Sequence, residues 1–189
     1  MVFLMEKKYK DWLNGFKTIV SEQLGAETYQ IVMKNCDKCK SVANDTEMAK
    51  CVKNVMENFD SVVDEVEKRS SVMETMGYYC FQNHFLSRAL QVKNQSRSIE
   101  EIIINLNRII GDEEYFKLKG NKIEAKFNQC YCDLGVKVAK EPLPKTYCYC
   151  SLGWLKDLFK ILLEKDVNVE MLETIVSGGN ACKFVIHLD

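Results

Sequence analysis

Histidine, proline and net charge are all scarce in this chain: its 189 residues hold two histidines, two prolines and a formal charge of −1. The near-zero balance argues against a nucleic-acid or acidic-membrane surface built on net charge. His84 and His187 form no His-Glu-x-x-His metal motif and no Ser–His–Asp arrangement. A phosphate-cradling glycine loop and an acidic metal-binding loop are missing as well. No apolar run approaches the length that spans a bilayer. The opening Met-Val-Phe-Leu-Met, followed by Glu-Lys-Lys, is too short and wrongly ordered in charge for a signal peptide. Repeats, low-complexity tracts and charge blocks are absent. The expected home is the cytoplasm, with neither nucleic acid nor membrane as partner.

Cysteine, by contrast, is plentiful, with nine residues. In a reducing compartment most should be thiols, so metal binding or reactivity outranks a disulfide framework. Apolar residues make up 47% and charged residues 28%, enough for a sizeable core in one domain or a core domain with a helical extension.

The first 110 residues read as helices. Tyr9, Leu13, Phe16, Val20 and Leu24 recur at helical spacing over 6–24, and Gly25 is a plausible left-handed stop. A second helix is expected over 27–40, and a third from Asn44 or Asp45 with Met48, Val52, Val55, Met56 and Phe59 on one face. Asp60 or Ser61 can cap the piece that follows. Ser71-Val-Met-Glu74 and Ser98-Ile-Glu-Glu101 match capping boxes; the first helix would run to about Val92, the second to Gly111.

After Gly111 the period drops from 3.6 to 2. Tyr115–Lys119 and Lys122–Phe127 around Gly120-Asn121 read as a hairpin pairing Leu118 with Ile123, Lys117 with Glu124 and Phe116 with Ala125. Pro142 and Pro144 fall in an irregular connection. A helix over 151–165 with Ser151 as cap follows. A last hairpin turns at Gly178-Gly179, pairing Ile175 with Cys182 and Glu170 with His187. Two one-sided hairpins must bury their apolar faces. The expected fold is α+β: an antiparallel sheet of about four strands, two hairpins flanking a helix, packed on N-terminal helices. A helical part, 1–110, and a ββαββ ligand-binding-type part, 111–189, would form one compact domain.

Cys130-Tyr-Cys132 and Cys148-Tyr-Cys150 are twin Cys-x-Cys units. On extended chains the sulfurs of each unit point one way. Side by side, four would face one region, with Cys182 joining them. Such a group suits zinc or another soft metal; the plain alternative is that these are small buried apolar side chains. Cys36-Asp-Lys-Cys39, with Cys51 approaching from the next helix, is a secondary metal or redox candidate; half-buried structural cysteines are the alternative. Cys80 and His84 share a helix face and could form a nucleophile pair or aid a metal site, against an ordinary core or surface histidine. His187 opposite Glu170 reads as a surface pair.

In the expected register Glu173 faces inward among Ile175, Cys182 and Phe184. There a carboxylate must be paired, protonated or bound, as a ligand contact, metal contact or general base, unless a twist or bulge turns it to solvent. Tyr147, Tyr149 and Trp154, with Glu173 and Phe184, could line a pocket for a flat organic ligand; plain core is the alternative. His84 and Glu173 are the candidate catalytic residues.

Gly153, Glu173-Thr174, Gly178 or Gly179, and Cys182-Lys-Phe184 resemble the end of the vinyl-4-reductase-type small-molecule-binding domain. With Cys148-Tyr-Cys150-Ser-Leu-Gly-Trp and the cysteine-bearing early helices, the chain is closer still to a cysteine-rich prokaryotic family similar to the L-2-amino-thiazoline-4-carboxylic acid hydrolase-like proteins. The resemblance covers about the last 45 residues. It implies a small-molecule-binding or sensing fold, sometimes with zinc held by cysteines. Sensor relatives carry a cysteine directly after the Glu-Thr region, where this chain has Ile175 and Val176, so Cys148 or Cys150 would have to substitute. The leading expectation is a binding or sensing protein for a small molecule, or for a metal plus ligand. The alternatives are a small-molecule hydrolase using a cysteine thiolate, and a structural partner protein that homodimerises through a sheet edge or apolar patch.

Overall fold

The computed structural model describes residues 2–34, 36, 39, 42, 44–132, 134–139 and 141–189, with side chains from Lys7 onward. Helix α1 (Val2–Leu24) stops at Gly25, whose φ of 96° is open to glycine. Helix α2 (Ala26–Val32) is shorter than expected; part of the remaining stretch to residue 40 lies outside the described residues. Helix α3 (Asp45–Val62) is capped as expected: the Asn44 side chain accepts the Glu47 N–H at 2.9 Å. It buries Met48, Val52, Val55, Met56 and Phe59 and runs through Asp60 and Ser61, so neither caps a new helix.

Helix α4 (Val66–His84) starts ahead of the expected box. Ser71 lies inside it, and its hydroxyl donates to Gln23 Oε1 on α1 at 3.1 Å. Ser-x-x-Glu is also an ordinary i,i+3 spacing within a helix, which is why the motif misleads. Phe85 leaves helical geometry and separates α4 from α5 (Leu86–Asn94), so the expected single helix to Val92 is two. Helix α6 (Ile99–Ile110) has the predicted ends: Ser98 Oγ accepts the Glu101 N–H at 3.3 Å, and Gly111 takes the left-handed conformation. The Glu101 carboxylate reaches back to the Arg97 N–H at 2.8 Å.

Strands β1 (Phe116–Lys119) and β2 (Lys122–Phe127) pair in the predicted register, Leu118 on Ile123 and Phe116 on Ala125. After a 3-10 turn at Lys145–Cys148, helix α7 (Tyr149–Leu163) begins, two residues before the expected cap Ser151. Strands β3 (Asn168–Glu173) and β4 (Cys182–His187) complete one antiparallel sheet of order β1-β2-β4-β3. The α+β architecture is the expected one. The β2–β4 pairing joins the hairpins, setting Ile123 on Ile186 and Phe127 on Cys182.

The last hairpin departs from expectation. A 3-10 turn over Ile175–Ser177 takes residues out of the predicted strand. Glu170 therefore faces Val185 rather than His187, and a bulge between Met171 and Glu173 sets Glu173 opposite Lys183. A shift of two residues preserves face parity, so Val169, Phe184 and Ile186 still point into the core.

Two apolar clusters result. One, around Tyr9, Phe16, Met56 and Phe59, lies among α1, α3 and α4 and takes in Tyr147 and Cys148. The other, around Leu106, Phe116, Phe159 and Phe184, lies between the sheet and α6 and α7. Helices α4 and α7 meet from opposite sides of the expected division at residue 110, and they meet through glycine. A Cβ on Gly77 would overlap the Cys150 carbonyl and stand 2.8 Å from Trp154 N; one on Gly153 would overlap the Glu74 carbonyl. The contact is flanked by Lys156 Nζ–Glu74 Oε2 and Gln82 Nε2–Asp157 Oδ2, both at 2.6 Å. Among the described residues no helix is long and apolar enough to cross a membrane.

Gly77→Ala or Gly153→Ala forces the two backbones apart and should each cost about 3 kcal/mol in urea unfolding, against about 1 kcal/mol for Gly111→Ala, where only backbone conformation is strained. Equal losses at the three sites would contradict the glycine contact.

Candidate thiol cluster

Three stretches of chain converge at one end of the sheet. Phe127 ends β2 opposite Cys182 at the start of β4, so the chain leaving β2 carries Cys130 and Cys132 past the base of β4. The Leu143 N–H donates to the Val176 carbonyl at 2.6 Å, pinning the approach to α7 onto the β3–β4 connection. The Lys145–Cys148 turn then places Tyr147, Cys148 and Cys150 in the same region.

Cys132 Sγ and Tyr147 Oη are 2.7 Å apart. The Ile175 N–H donates to Cys182 Sγ at 3.4 Å. Cys148 is hydrogen-bonded to the side chain of Thr174, itself buried and in contact with the Ser177 hydroxyl. Cys130 lies within electrostatic reach of Cys132, Cys148, Cys150 and Cys182, Cys148 of all four others, and Cys150 of Cys130, Cys132 and Cys148. Cys148 and Cys150 do not point one way along an extended strand. They sit at the start of a helix, where successive residues turn by about 100°. Cys148 is buried, and Cys150 is half-buried.

Burial dominates the electrostatics. It pushes the Cys130 thiol from 9.0 up to about 12, with further upward pushes from Cys132 and Cys182. It pushes Cys148 to about 12 against the opposing Thr174 hydrogen bond. Cys150 and Cys182 are raised for the same reason, and the Tyr147 hydroxyl well above its ordinary value. These thiols are neutral at physiological pH. They are poor nucleophiles there and bind a soft ion only by releasing their protons to solvent.

The other expected site residues are dispersed. Glu173 is turned outward by the bulge, correcting the inward placement: it pairs with Lys183 Nζ at 2.6 Å and accepts the Asn180 N–H at 2.6 Å, and both hold its carboxyl low. Phe184 is in the sheet core. Trp154 packs on Phe81 and Phe85, at ring distances of 5.7 and 5.0 Å. Tyr149 is half-buried, touching both apolar clusters. His84 is exposed at the end of α4, beside an outer cleft of about 310 Å³ shared with Gln82, Phe85 and Leu90. His187 is 3.7 Å from Glu170. Cys39 and Cys51 form a disulfide, and Cys36 stands near Asn58 Nδ2 at 3.5 Å. Among the described residues no three His, Cys, Asp or Glu side chains are placed to share one metal ion.

Thr174 and Gly77 were missed as participants. Thr174 stood next to the conspicuous Glu173, and the cue was a small polar residue at a strand end. Gly77 had a faint one, a glycine within a helical run.

Residues 16–189 match a family of unknown function, DUF6144. No curated protein matches the chain. Among solved structures, an H-NOX protein from Shewanella oneidensis in the Fe(II)NO ligation state is similar at 14% identity, with 94% of this chain and 97% of that chain covered and a TM-score of 0.50. A mutant of an H-NOX protein from the same organism in the Fe(II) ligation state gives 14%, 94% of each chain and 0.49. At this identity the likeness is one of fold.

Two outcomes follow. Alkylation at pH 7.5 should modify exposed Cys80 first, with buried Cys148 and Cys182 reacting only on unfolding; fast modification of either would contradict their burial. Raised thiol values mean that the folded state keeps protons which the unfolded chain sheds above its ordinary thiol range. Stability is therefore full below about pH 9 and falls as pH rises toward 12. Urea midpoints should be level from neutral pH to that point and decline above it, less steeply in Cys130→Ser and Cys148→Ser.

Proposed function

We propose that this chain, which belongs to the family of unknown function DUF6144, is a small-molecule binding or sensing protein whose ligand is taken at the thiol cluster. The ligand is a soft metal ion such as zinc, alone or with a small molecule on it, held by sulfurs drawn from Cys130, Cys132, Cys148, Cys150 and Cys182. One observation carries this reading: three separate chain segments deliver five unbridged sulfurs to one interior region, beside the hydroxyls of Tyr147 and Thr174. A soft cation displaces the protons of neighbouring thiols and is held by the thiolates that result.

Sulfur is the donor that suits such an ion here. Of the two histidines, His84 is exposed beside an outer cleft and His187 is engaged near Glu170. The cluster is not set as a metal cage, so binding would draw the sulfurs inward, most readily from the irregular 130–132 segment. The fold likeness to an H-NOX protein solved in an Fe(II)NO state is consistent with an architecture that can hold a metal and a small ligand; the site argument rests on this chain's own sulfurs. Tyr147, Tyr149 and Thr174 would contact a ligand on the metal. The vinyl-4-reductase-type resemblance of the last residues fits the same reading. In it the helical part, 1–110, and the ββαββ part, 111–189, act as one unit locked by α4 and α7.

Native mass spectrometry of protein purified anaerobically, before and after addition of Zn²⁺, tests this. The expected result is one equivalent of metal retained through desalting and lost in the Cys130→Ser, Cys148→Ser double variant. Protein that carries no metal or organic ligand and retains none after Zn²⁺ addition would overturn it.

A further inference from the structure

A second group of cysteines lies apart in sequence from the thiol cluster. Cys39, ahead of α3, is bridged to Cys51 on α3 across 12 positions, and all three sulfur residues Cys36, Cys39 and Cys51 are buried in one apolar cluster. Cys36 is not part of the bridge, yet it belongs to the same turn as Cys39: the Cys39 N–H donates to the Cys36 carbonyl at 2.8 Å. The intervening Asp37 and Lys38 lie outside the described residues.

Cys36 Sγ lies in a buried, mainly apolar setting. Asn58 Nδ2 stands 3.5 Å from it. That amide also donates to the Val32 carbonyl at 2.9 Å and the Lys34 carbonyl at 3.3 Å. The Tyr9 hydroxyl, fully buried, has no hydrogen-bond partner among the described residues, and Cys36 is within electrostatic reach of both it and Tyr29.

We infer that Cys36, Cys39 and Cys51 form a thiol–disulfide exchange site in which the Cys36 thiol exchanges with the Cys39–Cys51 disulfide. Cys36 gives up its proton and its sulfur attacks Sγ of Cys39. The Cys36–Cys39 bond forms as the Cys39–Cys51 bond breaks. The electron pair leaves on the Cys51 sulfur, which takes up a proton. Nothing is oxidised or reduced overall, and no outside reagent enters. The exchange moves the staple from a bridge between two elements to a bridge within one turn. It thereby releases Cys39 from α3 and leaves a thiol on that helix. A dithiol or small-molecule thiol that reduces either bridge would draw on the same three sulfurs. This inference is independent of metal or ligand binding at the thiol cluster.

Equilibrating the full chain in glutathione buffers of stepped ratio, quenching in acid, alkylating and mapping peptides without reduction tests it. In the wild-type chain the singly bridged population should contain both Cys39–Cys51 and Cys36–Cys39. Cys36→Ser should retain only Cys39–Cys51, and Cys51→Ser only Cys36–Cys39, while Cys130→Ser leaves the map unchanged. Cys39–Cys51 as the sole bridge in the wild-type chain at every ratio would overturn the inference, whether or not the variants fold. So would recovery of Cys36, Cys39 and Cys51 as three thiols on one bound metal ion.

Discussion

The glycine contact between α4 and α7 is the constraint on which the remaining geometry depends. Gly77 and Gly153 let the backbone carbonyls of Glu74 and Cys150 approach the opposite helix more closely than any side chain would allow. A glycine inside a helix costs about 1 kcal/mol relative to alanine, so two at one crossing need an offsetting gain. The gain is close backbone packing, with Glu74–Lys156 and Gln82–Asp157 bonded on its flanks. Because α7 also covers the sheet, the crossing ties the helical core to the sheet core. Cys150, whose carbonyl makes the contact, is one of the clustered sulfur residues, so the crossing fixes one wall of the candidate site.

The rest of the cluster is placed by backbone hydrogen bonds. Leu143 on Val176 and Ile175 on the Cys182 sulfur hold the approach to α7 against the β3–β4 connection. The β2–β4 pairing then aligns the exit of β2 with the same place. The sulfurs are brought together by sheet topology and short turns, and burial keeps them protonated. The outcome is a sulfur-rich region in which Cys148 and Cys182 are buried and Cys130, Cys132 and Cys150 half-buried. It is unsuited to thiolate catalysis: Glu173 is ion-paired to Lys183 and lifts the Cys182 thiol, and His84 is at the surface.

Much of this was legible in the chain. The first hairpin was readable down to its residue pairs, because a two-residue turn and an alternating apolar face leave a single register. The last hairpin was readable in face but not in register: nothing in Ile175-Val176-Ser177 announces a 3-10 turn, yet a two-residue shift keeps the same side chains inward. The bulge that turns Glu173 outward is equally silent in sequence. Cys148-Tyr-Cys150 looked extended because two prolines precede it and Ser151 offers a good cap; tertiary packing on Gly77 starts the helix earlier. The expected strand geometry for Cys148 and Cys150 does not occur; the turn before α7 places them instead. Apolar periodicity reports which face is buried, not how closely two backbones approach, so Gly77 was hidden within an ordinary helical stripe.

The most direct test of the central claim is mapping where a trivalent arsenical attaches to the folded chain, since such a reagent bridges only sulfurs that can close to within bonding distance. The account predicts one arsenical joining the 130–132 segment to Cys148, Cys150 or Cys182, linking residues far apart in sequence. Attachment confined to sulfurs within a single segment, with the 130–132 and 148–150 peptides never joined, would contradict it.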